Sequence, residues 1–132
     1  MAKAIKVKLL SFTMKDKPGL LSEITERLAN AKISITAICA YTVEDTAYFD
    51  LTTENNTQAK KALKGPGLEF EEENIIQVEM PNKAGELDKV AKILADKGIN
   101  IEYIYGTTLT GKSGSCLFST SDNAKALKLI NK

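Results

Sequence analysis

The chain has 132 residues, room for one ordinary domain or two very small ones, and its 18 basic and 17 acidic side chains leave a net charge of +1. That balance gives no chain-wide attraction to nucleic acid or anionic membrane, and Arg27, as the only arginine, is a poor kit for gripping phosphate bidentately. The absence of histidine removes the commonest general base near neutral pH, and no run of 18 apolar residues could cross a bilayer.

The opening "MAKAIKVKLL" lacks the apolar core and cleavage site of a signal peptide, so the cytoplasm is the expected compartment. Cys39 and Cys116 belong to no CxxC motif and have no histidine to join them. Both are expected to be buried apolar residues rather than zinc or redox ligands.

In chain order, "LSFTM" from Leu10 alternates apolar and polar residues and predicts a first strand. Leu21, Ile24, Leu28 and Ala31 then follow helical spacing, which predicts an amphipathic helix with one buried stripe. "ISITAI" returns to the two-residue period of a strand, and "AYFDLTT" after the acidic turn at Glu44 and Asp45 predicts its hairpin partner. "TQAKKALKG" predicts a short helix, and "LEFEEE" beyond Pro66 a fourth strand.

The series then begins again: "IQVEM" as a strand, a helix carrying Leu87, Val90, Ala91 and Leu94, Gly98 as its terminator, "INIEYI" and "CLFST" as strands, and "NAKALKLI" as a helix. Shifting the sequence by 66 positions aligns 16–41 with 82–107 without a gap and gives eight identities in 26 pairs. All but the Lys17/Lys83 pair are apolar or glycine, and they read as fold-forming positions.

Strand, helix, strand, strand, helix, strand is the order of the ferredoxin-like arrangement, a sheet covered on one side by two helices. The expected fold is α+β, two such units side by side, at 1–73 and 74–132. The second lacks its last strand because Lys132 stands where the first has Pro66. Seven strands are therefore expected, with the bare edge beside "IIQVEM" covered by the N-terminal run "AKAIKV" or by another chain.

The loop between the first strand and first helix recurs as "MKDKPGLL" and "MPNKAGEL". Gly19 and Gly85 would allow close backbone approach at a helix start, where free N–H groups attract a carboxylate. Asp16 and Asn82 could accept from an ammonium group or simply cap the turn.

These features resemble tandem ACT domains, the small regulatory modules of amino-acid metabolism. The motif is Asn/Asp-x-x-Gly-x-Leu, an apolar helix and then Gly-Ile-Asn-Ile, which the second copy meets with Asn82, Gly85, Leu87, Gly98 and Asn100. The first copy departs from it with Asp16, Lys32 and Ser34. The resemblance implies a free-standing regulatory or sensory protein that binds a free amino acid at the seam between two units, with no catalytic residues, cofactor or metal.

One implied site combines Asp16, Pro18, Gly19 and Leu20 with Asn100; the other combines Asn82, Ala84, Gly85 and Glu86 with Ser34. Implied partners are the amino acid, a metabolic enzyme on a separate chain and further copies of this chain. The alternative is an interaction or oligomerisation module that binds no ligand.

Other functions of this strand order fit less well. An acylphosphatase needs an arginine in its loop, a copper chaperone a CxxC there, and an RNA-binding module stacking aromatics in both copies. Here neither loop has the arginine or a cysteine, and the second copy offers only Phe118 on those strands. "EFEEE" reads as solvated surface rather than a metal site.

Overall fold

The structure is a computed structural model that describes residues 2–107 and 111–132. Its elements are β1 (Lys3–Lys15), α1 (Leu20–Asn30), β2 (Ile35–Val43), β3 (Thr46–Thr53), α2 (Asn56–Leu63), β4 (Glu71–Pro81), α3 (Glu86–Asp96), β5 (Ile101–Thr107), β6 (Ser113–Thr120) and α4 (Asn123–Asn131). They form two compact units, one of Lys8–Glu73 and the other of Asn74–Lys132 together with the residues up to Val7.

In the Lys8–Glu73 unit the strand order is β2-β3-β1, all antiparallel. Leu10 lies opposite Leu51 and Phe12 opposite Phe49, so one face of the sheet carries large apolar side chains. That face packs on Leu20, Ile24 and Leu28 of α1 and on Ala59 and Leu63 of α2 to make the core. Phe12 stacks on Phe49 with ring centroids 5.1 Å apart, and Phe70 meets Phe12 edge-on at 5.4 Å.

The Asn74–Lys132 unit repeats this with β4-β6-β5. Ile76 lies opposite Phe118 and Val78 opposite Cys116, beneath Val90 and Leu94 of α3 and Ala126 and Ile130 of α4. The place of its missing last strand is taken by the start of β1, which adjoins β4 in the sheet order and contributes Ala4 to the core. Asn131 fixes it there: its Oδ1 accepts from the Ala4 N–H at 2.7 Å and its Nδ2 donates to the Ala4 carbonyl at 2.8 Å. Of the two covers considered for that edge, "AKAIKV" is the one found.

The same polar ties hold the second helix of each unit. Asn55 and Asp122 cap α2 and α4, accepting from Gln58 N and Lys125 N. Asn56 Nδ2 then donates to the Lys8 carbonyl at 3.0 Å, as Asn123 Nδ2 does to Asn74 at 2.9 Å.

Some expectations need correction. "LEFEEE" is not a separate strand: β4 starts at Glu71 and runs unbroken to Pro81, because nothing in "EEENIIQVEM" turns the chain, and six strands result among the described residues. The buried stripe of α1 is Leu20, Ile24 and Leu28, while Leu21 is 52% exposed. Leu87 is 51% exposed, and Ile38 and Ile104 are also exposed, so these identical pairs are not core. Cys116 is buried as expected, whereas Cys39 is half-buried beside Asp50, whose charge adds to burial in raising its thiol pKa.

Candidate functional site

Each β-strand-to-helix loop is shaped by its glycine. Gly19 has φ 83° and Gly85 φ 90°, the left-handed region that disfavours side chains, and a Cβ at either would meet nothing within 4 Å. The backbone turn, not close approach, is what requires glycine. Neither α1 nor α3 has a side-chain hydrogen bond at its N-cap, so Asp16 and Asn82 are not caps. Their backbone N–H groups instead bind the hairpin turns, at Asp45 O (2.7 Å) and Lys112 O (2.8 Å), and Asn82 Nδ2 reaches Gly111 O at 3.3 Å.

In the Asn74–Lys132 unit a cavity of about 350 Å³ opens beside this loop. Met80–Lys83, Glu86 and Leu87 line one side, with Ile104–Thr107 of β5 and Gly114–Cys116 of β6 on the other. The counterpart in the Lys8–Glu73 unit, of about 270 Å³, is lined by Asp16, Lys17, Gly19–Ser22, Ala40–Thr42, Ala47 and Phe49. Asn82 and Glu86, and Asp16, Gly19 and Leu20, thus stand at a cavity in their own units. Pro18, Ala84 and Gly85 lie on the loops without lining it.

Ser34 and Asn100 are placed elsewhere in their units. They precede β2 and β5, at the opposite ends of those strands from the hairpin turns that hold the loops. Ser34 N–H donates to Glu54 Oε1 at 3.0 Å, and Asn100 N–H to Ser121 Oγ at 3.0 Å.

The charges near the loops are tied locally. Glu86 Oε2 binds Lys89 Nζ at 2.9 Å, a hydrogen bond that holds its carboxyl below the usual value. In the other unit Lys17 binds Glu23 at 3.0 Å and lowers its pKa likewise, and Arg27 pairs with the same carboxylate at 3.3 Å. Burial pushes the Cys116 thiol up to about 11, so it faces the cavity as a neutral, weakly polar group.

Sequence reasoning missed Ile104, Gly106, Ser115 and Cys116. Strand register supplies the signal. Phe12 opposite Phe49 becomes Val78 opposite Cys116; Ala40 opposite Phe49 becomes Gly106 opposite Cys116; Met14 opposite Ala47 becomes Met80 opposite Gly114; and Tyr41 opposite Tyr48 becomes Thr107 opposite Ser115. At Gly106 a Cβ would fall 2.6 Å from that of Cys116, so β5 carries no side chain there. Wherever these pairs differ, the residue is smaller in the Asn74–Lys132 unit. The result is an apolar recess with polar groups at its mouth, able to take a small molecule having one apolar and one charged part.

Residues 5–132 match a family model described as an ACT domain pair. No curated protein matches the chain. Among solved structures, protein BT0572 of Bacteroides thetaiotaomicron is 28% identical with a TM-score of 0.87, over 96% of this chain and 88% of that one. The ligand-free regulatory subunit of aspartate kinase from Thermus thermophilus is 18% identical with a TM-score of 0.70, over 98% and 93%. That from Thermus flavus is 17% identical with a TM-score of 0.63, over 98% and 94%.

Proposed function

The chain belongs to the ACT domain pair family, and from that membership we propose that it is a regulatory protein whose effector is a free amino acid, bound beside a strand-to-helix loop. The observation that carries this reading is the recess next to Asn82 and Glu86, at the uncapped start of α3. A free amino acid suits it: its carboxylate can meet the N–H groups of the helix start, its ammonium a side-chain oxygen, and its side chain the apolar wall.

Regulation then acts through geometry. A ligand favours whichever conformation completes its site, by its difference in affinity between the two. The recipient of that change is a metabolic enzyme on a separate chain, as the regulatory subunits with the same fold suggest by their names. Self-association accompanies it: Ile38, Tyr41 and Val43 are exposed along β2, which pairs only with β3 among the described residues. The cytoplasm is the proposed compartment; no helix among the described residues is long and apolar enough to cross a membrane.

A thermal-shift screen against single amino acids at millimolar concentration tests the reading. Ligand at about 100 times its dissociation constant adds roughly 2.7 kcal/mol, several degrees in melting midpoint. A selective shift that Asn82→Ala weakens, with the unliganded midpoint unchanged, is the expected result. A folded protein that no amino acid shifts would leave the interaction module as the better reading.

A further inference from the structure

We infer that only the Asn74–Lys132 unit holds the amino acid, that the ligand's side chain is apolar, and that Cys116 and Glu86 are the residues that widen this site where Phe49 and Leu20 narrow its counterpart. The inference rests on the amino-acid reading above and makes it specific.

The two units share loop, helix and register, so each can be read as a substituted version of the other. In the Lys8–Glu73 unit the cavity beside the loop is the smaller of the two, about 270 Å³ against about 350 Å³, and Phe49 and Leu20 line it. Phe49 is 3% exposed and stacks on Phe12, and Leu20 is buried at the start of α1. A ligand side chain too large for that cavity would have to displace a stacked aromatic pair from a close-packed core, which costs more than a small ligand returns.

In the Asn74–Lys132 unit the same positions carry Cys116, Val78 and Glu86. Exchanging Phe49 for Cys116 and Leu20 for Glu86 goes with the larger cavity of this unit. Its wall of Met80, Ile104 and Cys116 has no charge, and the thiol is neutral. A charged or amide side chain would lose its hydration against that wall without a partner, whereas an aliphatic or thioether side chain loses nothing polar. The polar ends of an amino acid have partners at the mouth: the Glu86 carboxylate for the ammonium, and Lys83 with the first N–H groups of α3 for the carboxylate. The volume, at the low end of about 300–1,000 Å³ for ligand pockets, suits a single amino acid rather than a larger metabolite.

Isothermal titration calorimetry of the full chain decides it, with L-leucine, L-methionine and L-valine as apolar probes and L-aspartate and L-lysine as polar ones. One equivalent of an apolar amino acid per chain is expected, with Cys116→Phe and Glu86→Leu, each introducing the residue of the narrower cavity, weakening it at least ten-fold. The half-buried Glu86 is a milder site, so Glu86→Leu decides the matter if Cys116→Phe does not fold. Two equivalents per chain, binding of polar probes alone, or unchanged affinity in a folded variant would each overturn the inference while leaving the amino-acid reading intact. Binding of no amino acid would overturn both.

Discussion

The two units share strand order, helix capping and the asparagine that ties the second helix to the first strand, yet they spend the space beside the loop in opposite ways. One narrows it with Phe49 and Leu20; the other has Cys116 and Glu86 at those positions and the larger cavity, about 350 Å³ against about 270 Å³. On the proposed reading, one copy serves as scaffold and the other takes the ligand, so stability and binding are separated between copies.

The largest expected effect follows from that separation. Phe49→Ala removes a ring stacked in a closed core and should cost about 3–5 kcal/mol, whereas Cys116→Ala at the equivalent position should cost less than about 1.5 kcal/mol. Urea unfolding of both variants measures the contrast, and equal losses would break the comparison.

Next is the N-terminal strand, which only the Asn74–Lys132 unit borrows. Asn131→Ala deletes both hydrogen bonds to Ala4 and should cost about 1–3 kcal/mol, with amide exchange at Ala4 rising sharply. Unchanged exchange there would mean the strand is held by its neighbours alone.

Helix ends supply a smaller contrast. Gly98 follows α3 at φ 69°, and Lys32 occupies the same place after α1 at φ 60°. Lys32→Gly should stabilise the protein by about 1 kcal/mol, because a left-handed conformation costs an L-residue roughly 1–2 kcal/mol. Loss of stability instead would show that Lys32 contributes more through its side chain than its backbone costs.

Much of this was legible beforehand. The 66-residue repeat, the helix and strand periods and the unclosed edge follow from spacing, since apolar residues must share a face to be buried. What escaped has a physical cause. Helical spacing groups Leu21 with Ile24 and Leu28 but cannot say which side of the stripe hangs past the sheet edge, so the exposure of Leu21 and Ile38 was hidden. "LEFEEE" and "IIQVEM" look like two strands until the lack of a turn between them is weighed. The recess was invisible because it depends on pairs such as 40 with 49 and 106 with 116, which only strand register brings together. Ser34 and Asn100 entered through resemblance alone, and within their own units they lie away from the loops.

The smallest effect is a pH dependence to which the buried Cys116 thiol contributes. Cys116 has its thiol pKa raised by burial from 9.0 to about 11, so the folded state holds a proton that the unfolded state loses first. The contribution is complete below pH 9 and disappears as pH rises toward 11. Unfolding curves should show that decline in the native chain and a shallower one in Cys116→Ala; parallel curves would place the thiol in a wetter environment.

The most direct test is residue by residue: ¹H–¹⁵N spectra of the full chain titrated with the apolar amino acid that binds. Shifts gathered at Asn82–Glu86, Ile104–Thr107 and Ser115–Cys116, with Asp16–Leu20 and Tyr41–Thr42 unmoved, are expected. Equal shifts at both loops would contradict the assignment of the ligand to the Asn74–Lys132 unit alone.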